Sequence, residues 1–366
     1  MATIEKRETQ DGKSSYRVKV RLKGYPAQSE TFDRLTDAKK WAAATESAIR
    51  EGRHFKTAEA KKHTLGELID RYTRDVLPNE KPKERAKKTT NLARWKDELG
   101  HALLSDLTPA AIVAVRDKLS NEKTARGKPR GPATVTSYMN ALSAVLSLAV
   151  NEWGWLEDNP MRKVKKPSPP RGRVRFLSDD ERAALLQACR ESSNALLYPA
   201  VVLGLSTGMR QGEILGLYWR EPKRPPEHRA WGVVDVAAAR ITLHLTKNGE
   251  RRVVPLVGHA LESVKELAKV RRLGTDLLFP GKVDPNEPID LRQPWEAALK
   301  RAEIEDFRFH DLRHSAASYL AMNGASLAEI AETLGHKTLQ MVKRYSHLSD
   351  AHVSSVVERM NAKIFG

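Results

Sequence analysis

The stretch VKKPSPPRGRVRF, residues 164–176, prevents the chain from folding around a single core. Its prolines fix φ and remove backbone donors, and the arginines and glycine around them offer no apolar face. Neither a helix nor a paired strand runs comfortably through it, so it reads as an extended linker. The apolar patterns on its two sides must therefore close separate cores. With 366 residues and 40% hydrophobic content, the chain has material for two or three of them.

Upstream of the linker two patterns alternate in kind. In YRVKVRLK, residues 16–23, Tyr16, Val18, Val20 and Leu22 face one way and Arg17, Lys19, Arg21 and Lys23 the other. That period of two predicts a half-buried strand with a basic outer face. Asp11-Gly12 before it and Gly24-Tyr25-Pro26 after it supply turns, and QSETF is a second strand. A helix follows from about Thr36, with Ala38, Trp41, Ala42, Thr45 and Ile49 on one side. The expected unit is a small β-sheet backed by a helix, and its basic face has the width of a ribbon that a major groove admits.

Beyond the polar connector HFKTAEAKK the period becomes helical. Thr64 and Glu67 have the spacing of a capping box, followed by Leu65, Leu68, Ile69, Tyr72 and Val76. Thr108-Pro109 opens a second helix with Ile112, Val115 and Leu119. Gly131-Pro132 opens a third, with Val135, Tyr138, Met139, Leu142, Val145, Leu146 and Ala149. KPKERAKK, EKTARGKPR and MRKVKKP read as basic loops between these helices, suited to phosphate contacts. After the linker, Ser178 and Glu181 form another capping box, and helices are expected to about residue 219. RITLHLTKNGERRVVPL, residues 240–256, gives two strands around Asn248-Gly249, and Phe309 to Ile364 is again helical.

Charge sorts the segments further. The net charge of +17 divides into +6 over residues 1–62, +8 over 63–173 and +3 over 174–366. A basic excess concentrated upstream of the linker points to a polyanion, nucleic acid, held there. One cysteine, Cys189, excludes an internal disulfide framework and fits a reducing compartment. The first twenty residues lack a signal-peptide core, and no apolar run approaches a bilayer span of roughly 20 residues. A cytoplasmic protein, with no membrane partner, is the expectation.

Four stretches downstream of the linker carry chemistry: TGMRQGEILGL (207–217), LTKNGE, HDLRHS (310–315) and LGHKTLQMVKRYSHL (334–348). No GxxxxGK[ST] or HExxH run is present, and His310 with His314 at i, i+4 lack a third metal ligand. Singly, Arg210 reads as a helix cap, Lys247 as a solvated hairpin residue and His310 with Arg313 as a surface pair. SLAEIAETLGHKTLQMVKRY alone reads as a helix-turn-helix with Tyr345 packed on its second helix, which would make a regulator.

Together, in order and residue type, the four stretches resemble the catalytic signature of the tyrosine recombinases, the phage integrase family. The resemblance is close over 174–366. It implies a multi-domain chain: an arm-type DNA-binding domain (1–62, small β-sheet plus helix), an all-α, SAM-like core-binding domain (63–167) and a mainly α, α+β catalytic domain (174–366). It also implies that Arg210, Lys247, His310, Arg313 and His336 surround a scissile phosphate and that Tyr345 is the nucleophile.

The residue types suit those roles. Guanidinium groups bind non-bridging phosphate oxygens through paired donors and stay charged at any useful pH, which fits Arg210 and Arg313. A phenol with an ordinary pKa of about 10 needs cations or a proton acceptor to attack, and the charge around Tyr345 is expected to activate it. Lys247 beside a hairpin turn is the candidate acid for the 5′ oxygen, and His310 and His336 can exchange or share protons. Glu213, one turn from Arg210, is expected to orient the site. Tyr319, at helical spacing from Leu312 and Ala316, reads as core.

A phosphotyrosyl bond conserves the energy of the broken one, so neither ATP, metal nor other cofactor is expected. The resemblance implies double-stranded DNA with core and arm sites, a homotetramer on it, and action in the bacterial host cytoplasm for a prophage or similar mobile element. An accessory DNA-bending protein and a directionality factor are further expected partners. A type IB topoisomerase shares the tyrosine chemistry, but His310 in its HxxR context and the extra N-terminal domain argue for the recombinase. One departure is REPKRPPEHRAWG after GLYW, where the family commonly has a short acidic strand segment.

Overall fold

The computed structural model describes residues 2–8, 14–23, 25, 27–51, 58–124, 127–168, 175–246 and 249–365, without the side chains of 349–356. The chain forms two compact units, Met1–Arg171 and Gly172–Gly366. Both glycine turns expected around the first strand include residues outside that description, as does the middle of the proline-arginine linker, 169–174.

The first unit opens with three antiparallel strands in the order β1-β2-β3: β1 (Ala2–Glu8), β2 (Ser14–Val20) and β3 (Gln28–Phe32). Helix α1 (Leu35–Arg50) lies across them. Val18, Val20, Ala38, Ala42 and Ile49 are buried between sheet and helix, as the alternation required. The strand read as YRVKVRLK is the central one, paired on both edges. Its outer face is less basic than the sequence pattern suggested, because β1, which the pattern did not disclose, sets Glu5 opposite Arg17 and within 3.9 Å of the Lys19 ammonium. Arg21 and Lys23 lie beyond the strand end and are exposed.

Helices α2 (Leu65–Asp75), α3 (Pro82–Leu99), α4 (Pro109–Asn121) and α5 (Pro132–Asn151) follow. The Thr64–Glu67 capping box forms in both directions, and Thr108 caps α4 through Ala111 N–H. KPKERAKK is not a loop but the first half of α3. Only Asn91, Leu92 and Trp95 of that helix are buried, too narrow a stripe to show as periodicity, and Pro82 marks its first turn. Helix α5 is in fact long and apolar enough to cross a membrane by length and composition. Its Val135, Met139, Leu142, Val145, Leu146 and Ala149 instead join the core of the unit with Trp95 and Tyr72. Its small polar residues are bonded there as well: Asn159 donates to Ser147 Oγ at 2.9 Å and Asn91 to Ser137 Oγ at 3.1 Å.

The second unit contains α6 (Asp179–Arg190), α7 (Leu197–Thr207) and α8 (Gln211–Leu215). A four-stranded sheet follows in the order β4-β5-β6-β7: β4 (Leu217–Tyr218), β5 (Trp231–Asp235), β6 (Arg240–Leu245) and β7 (Arg252–Pro255). The remaining helices are α9 (Gly258–Lys269), α10 (Arg292–Arg301), α11 (Asp311–Met322), α12 (Leu327–Leu334) and α13 (Asp350–Phe365). Helix ends at Leu215 rather than near 219, because Leu217 and Tyr218 pair in parallel with Gly232 and Val233. The proline-rich segment is a loop that returns the chain to β5. Arg229 in it is paired with Glu287 and Arg220 with Asp276 at 3.2 Å, and the loop lines a cavity of about 780 Å³. Helix α7 packs on α11 and α9, at the centre of the largest apolar cluster.

Candidate active site

Helix α7 ends at Gly208, which has φ +61°. A Cβ there would stand 2.3 Å from the Leu334 side chain, so only glycine fits the turn. The turn puts Arg210 at the start of α8, where Glu213 lies one turn on. The Glu213 carboxylate accepts from the Arg210 backbone N–H at 3.0 Å and from its Nη1 at 2.8 Å. Glu213 is only 1% exposed and also pairs with Arg252 Nη2 at 3.2 Å. The expected orienting role thus has a physical form: one buried carboxylate holds two guanidinium groups.

Helix α11 supplies the second arm. Arg313, 3% exposed, donates from Nη1 to the Gly208 carbonyl at 2.7 Å. His310 starts the same helix, and His314 stands one turn further, its ring edge-on to His310 at 5.4 Å between centroids. The third arm begins at the end of α12, where Gly335 has φ +65° and a Cβ would meet the Arg252 guanidinium at 2.9 Å. His336 leaves that turn with its N–H bonded to Ala331 O at 2.8 Å.

Tyr345 lies in a 3₁₀ segment, Lys343–Ser349. Its ring is buried among Ala317, Ile330, Leu334 and Val342, and its hydroxyl is hydrogen-bonded to His314 Nδ1. The second helix of a helix-turn-helix is replaced here by two short 3₁₀ pieces, which place the tyrosine in a pocket instead of a groove-reading face. Tyr319 is accounted for structurally, since its hydroxyl donates to Leu177 O at 2.9 Å.

Arg210, His310, Arg313, His314, His336, Arg344 and Tyr345 all line one cleft of about 490 Å³. Five of the six residues expected around the reacting phosphate are therefore brought together. The sixth, Lys247, lies outside the described residues. Its hairpin is tied to the site by described neighbours: Glu250 pairs with Lys337 at 2.9 Å, next to His336, and Arg252 donates to Thr333 O at 2.6 Å.

The electrostatics follow from burial among cations. Burial, then Arg210, pulls the Arg313 guanidinium down to about 9, still charged at neutral pH. Burial, then Arg313 and Arg210, pushes His336 down to about 4, and burial with His310 does the same to His314, so both imidazoles are neutral. Burial raises Tyr345 above the usual phenol range, outweighing the lowering by Arg344 and Arg313. The expectation that nearby charge makes the phenol anion-like is therefore corrected for the protein without substrate: desolvation wins, and the hydroxyl keeps its proton. Meanwhile Arg313 Nη2 and His336 Nδ1 are buried with no hydrogen-bond partner among the described residues. A buried guanidinium donor left in this state is costly unless an acceptor arrives, and a phosphate oxygen is one that would satisfy it.

Two residues of the site escaped the sequence. Arg252 carried a weak signal, a basic residue just past the hairpin turn. His314 was weighed only as a metal ligand, because its pairing with Tyr345 spans 31 positions.

The Phage integrase family matches residues 175–352. A shufflon-specific DNA recombinase of Escherichia coli is 31% identical over 290 residues, covering 79% of this chain and 70% of that protein. An integrase of Salmonella phage P22 is 27% identical over 306 residues, covering 74% and 73%. A lambda integrase tetramer bound to a Holliday junction has a chain that superposes with TM-score 0.58 at 20% identity, covering 91% of this chain and 95% of that one.

Removing the Glu213 carboxylate tests the geometry directly. Glu213→Ala leaves two guanidinium groups without their shared partner and is expected to destabilise the second unit by about 3–5 kcal/mol in urea unfolding. A loss under about 1 kcal/mol would show that the arginines are held by something else.

Proposed function

The chain belongs to the phage integrase family of tyrosine recombinases, and on that premise we propose which of its side chains cleave and rejoin DNA. As a site-specific DNA recombinase it breaks a strand and seals it again without releasing the phosphate. Tyr345 is the nucleophile: its Oη bonds to the scissile phosphorus, the 5′ oxygen leaves, and a 3′-phosphotyrosyl bond holds the strand. Arg210 and Arg313 bind the non-bridging oxygens, where charge gathers in the transition state. His336 donates a hydrogen bond to the same phosphate, His310 exchanges protons at its edge, and Lys247 protonates the departing 5′ oxygen. The observation that carries this reading is the cleft itself, where three arginines, three histidines and a tyrosine converge and Arg313 Nη2 is buried without a partner among the described residues.

The rest of the chain supports recombination at a defined site. Residues 63–167 act as the core-binding domain, whose basic helix α3 and loops contact phosphates. Residues 1–62 act as an arm-site module, with Arg17, Lys19, Arg21 and Lys23 reaching DNA from the sheet. The protein integrates or excises a prophage or similar element as a homotetramer, the state in which lambda integrase is seen on a Holliday junction. The C-terminal helix suits that assembly: Val357, Met360, Ile364 and Phe365 are exposed apolar residues, and they dock on a neighbouring subunit. An accessory bending protein and a directionality factor complete the system.

The test of the chemistry is covalent trapping on a nicked suicide duplex. Tyr345→Phe should bind DNA yet form no adduct. Arg210→Ala and Arg313→Ala should each lose roughly 3–4 kcal/mol of transition-state stabilisation. A 5′-sulfur leaving group should rescue Lys247→Ala but not the arginine variants; rescue of the arginines instead would overturn the assignment of the acid. The assembly is tested separately. Deleting 351–366 should spare DNA binding while weakening the synaptic complex on native gels, and an undiminished complex would remove the tail from the interface.

A further inference from the structure

The proton of Tyr345 needs a destination, and while His310 exchanges protons at the edge of the phosphate, the imidazole hydrogen-bonded to the phenol itself is that of His314. A guanidinium group is a donor with no acceptor site for it, and a lysine that protonates the leaving oxygen must itself begin charged. We propose that His314 is that destination: its Nδ1 takes the proton from Tyr345 Oη as the tyrosine attacks and returns it when the strand is rejoined. This rests on the reading of Tyr345 as nucleophile and adds a catalytic residue to it.

The geometry is local and specific. His314 is adjacent to Arg313 on α11, and Tyr345 Oη is hydrogen-bonded to its Nδ1. The proposed step uses the tautomer in which the phenol donates, Nδ1 accepts and the imidazole proton sits on Nε2. Charged and titratable groups facing the ring are His310, Asp311 and Arg313 from its own helix, Arg344 and Tyr345 from the 3₁₀ segment, and His336 from the turn after α12.

The step balances. The Oη–P bond forms as the P–O5′ bond breaks; the phenolic proton passes to Nδ1, giving an imidazolium, and the 5′ oxygen leaves with a proton from its own donor. On rejoining, the 5′ hydroxyl attacks phosphorus, the P–Oη bond breaks and the imidazolium returns its proton to Oη. The site's charge also makes the step conditional on substrate. Without DNA, burial and the surrounding cations hold His314 at about 4, too weak a base to ionise a phenol whose own pKa is raised. A scissile phosphate brings negative charge beside the ring, which stabilises the imidazolium and strengthens the base just when attack is possible.

The experiment is single-turnover cleavage of the suicide duplex by the full chain from pH 6 to 9, using wild type, Tyr345→Phe, His314→Ala and His314→Asn. Asparagine can accept the hydrogen bond but not the proton. Both His314 variants are expected to bind DNA normally and to cleave at least about 100-fold more slowly. Their rates should climb steadily with pH as hydroxide replaces the base, while wild type levels off. A wild-type rate and profile in His314→Asn would overturn the proposal and leave His314 a positioning residue. So would slow cleavage by both variants with a profile parallel to wild type. If wild type formed no adduct, or Tyr345→Phe still did, the nucleophile assignment itself would fall, a result distinct from either of these.

Discussion

The site depends on one buried carboxylate. Glu213 accepts from Arg210 on its own helix and from Arg252 across the hairpin, and the Arg210 turn in turn offers the Gly208 carbonyl to Arg313. Three guanidinium groups thus gather around a single negative charge, an arrangement that is deficient in anions as it stands. Burying charge in this way is expensive, and the cost is tolerated where binding of a substrate offsets it. A phosphodiester supplies the missing negative charge. The same clamp fixes the direction of Arg210 before DNA arrives, so the donors need not be reorganised at the moment of reaction.

Preorganised cations would be a hazard if they also ionised the tyrosine in the free protein. Burial prevents this. Tyr345 is 1% exposed, its ring is seated in an apolar cluster, and its pKa lies above the usual phenol range. The phenol is therefore kept protonated beside the cations of the cleft. Gly208 and Gly335 make the close approach possible, since a side chain at either would strike Leu334 or Arg252.

Much of this was legible in the sequence where the information is local. The capping boxes at Thr64 and Ser178 form as their spacing required, and the alternation of Val18 and Val20 fixes the buried face of the first sheet. Helix α3 was lost because its buried stripe is only Asn91, Leu92 and Trp95 on an otherwise charged surface. Strand β5 was hidden behind a proline-rich loop, and β1 behind a pattern too polar to stand out. In the site, motif wording found residues whose types are distinctive, and it found Glu213 through its spacing from Arg210. Arg252 and His314 act through partners 39 and 31 positions away, a separation that no periodicity records.

The central claim is that this cleft joins DNA to protein through Tyr345. Its most direct measurement is mass spectrometry of the trapped complex after nuclease and trypsin digestion. The account predicts a nucleotide mass on the peptide that begins at Tyr345, with fragmentation placing it on the phenolic oxygen. A nucleotide on the peptide carrying Tyr319, or on any residue outside the cleft, would contradict it.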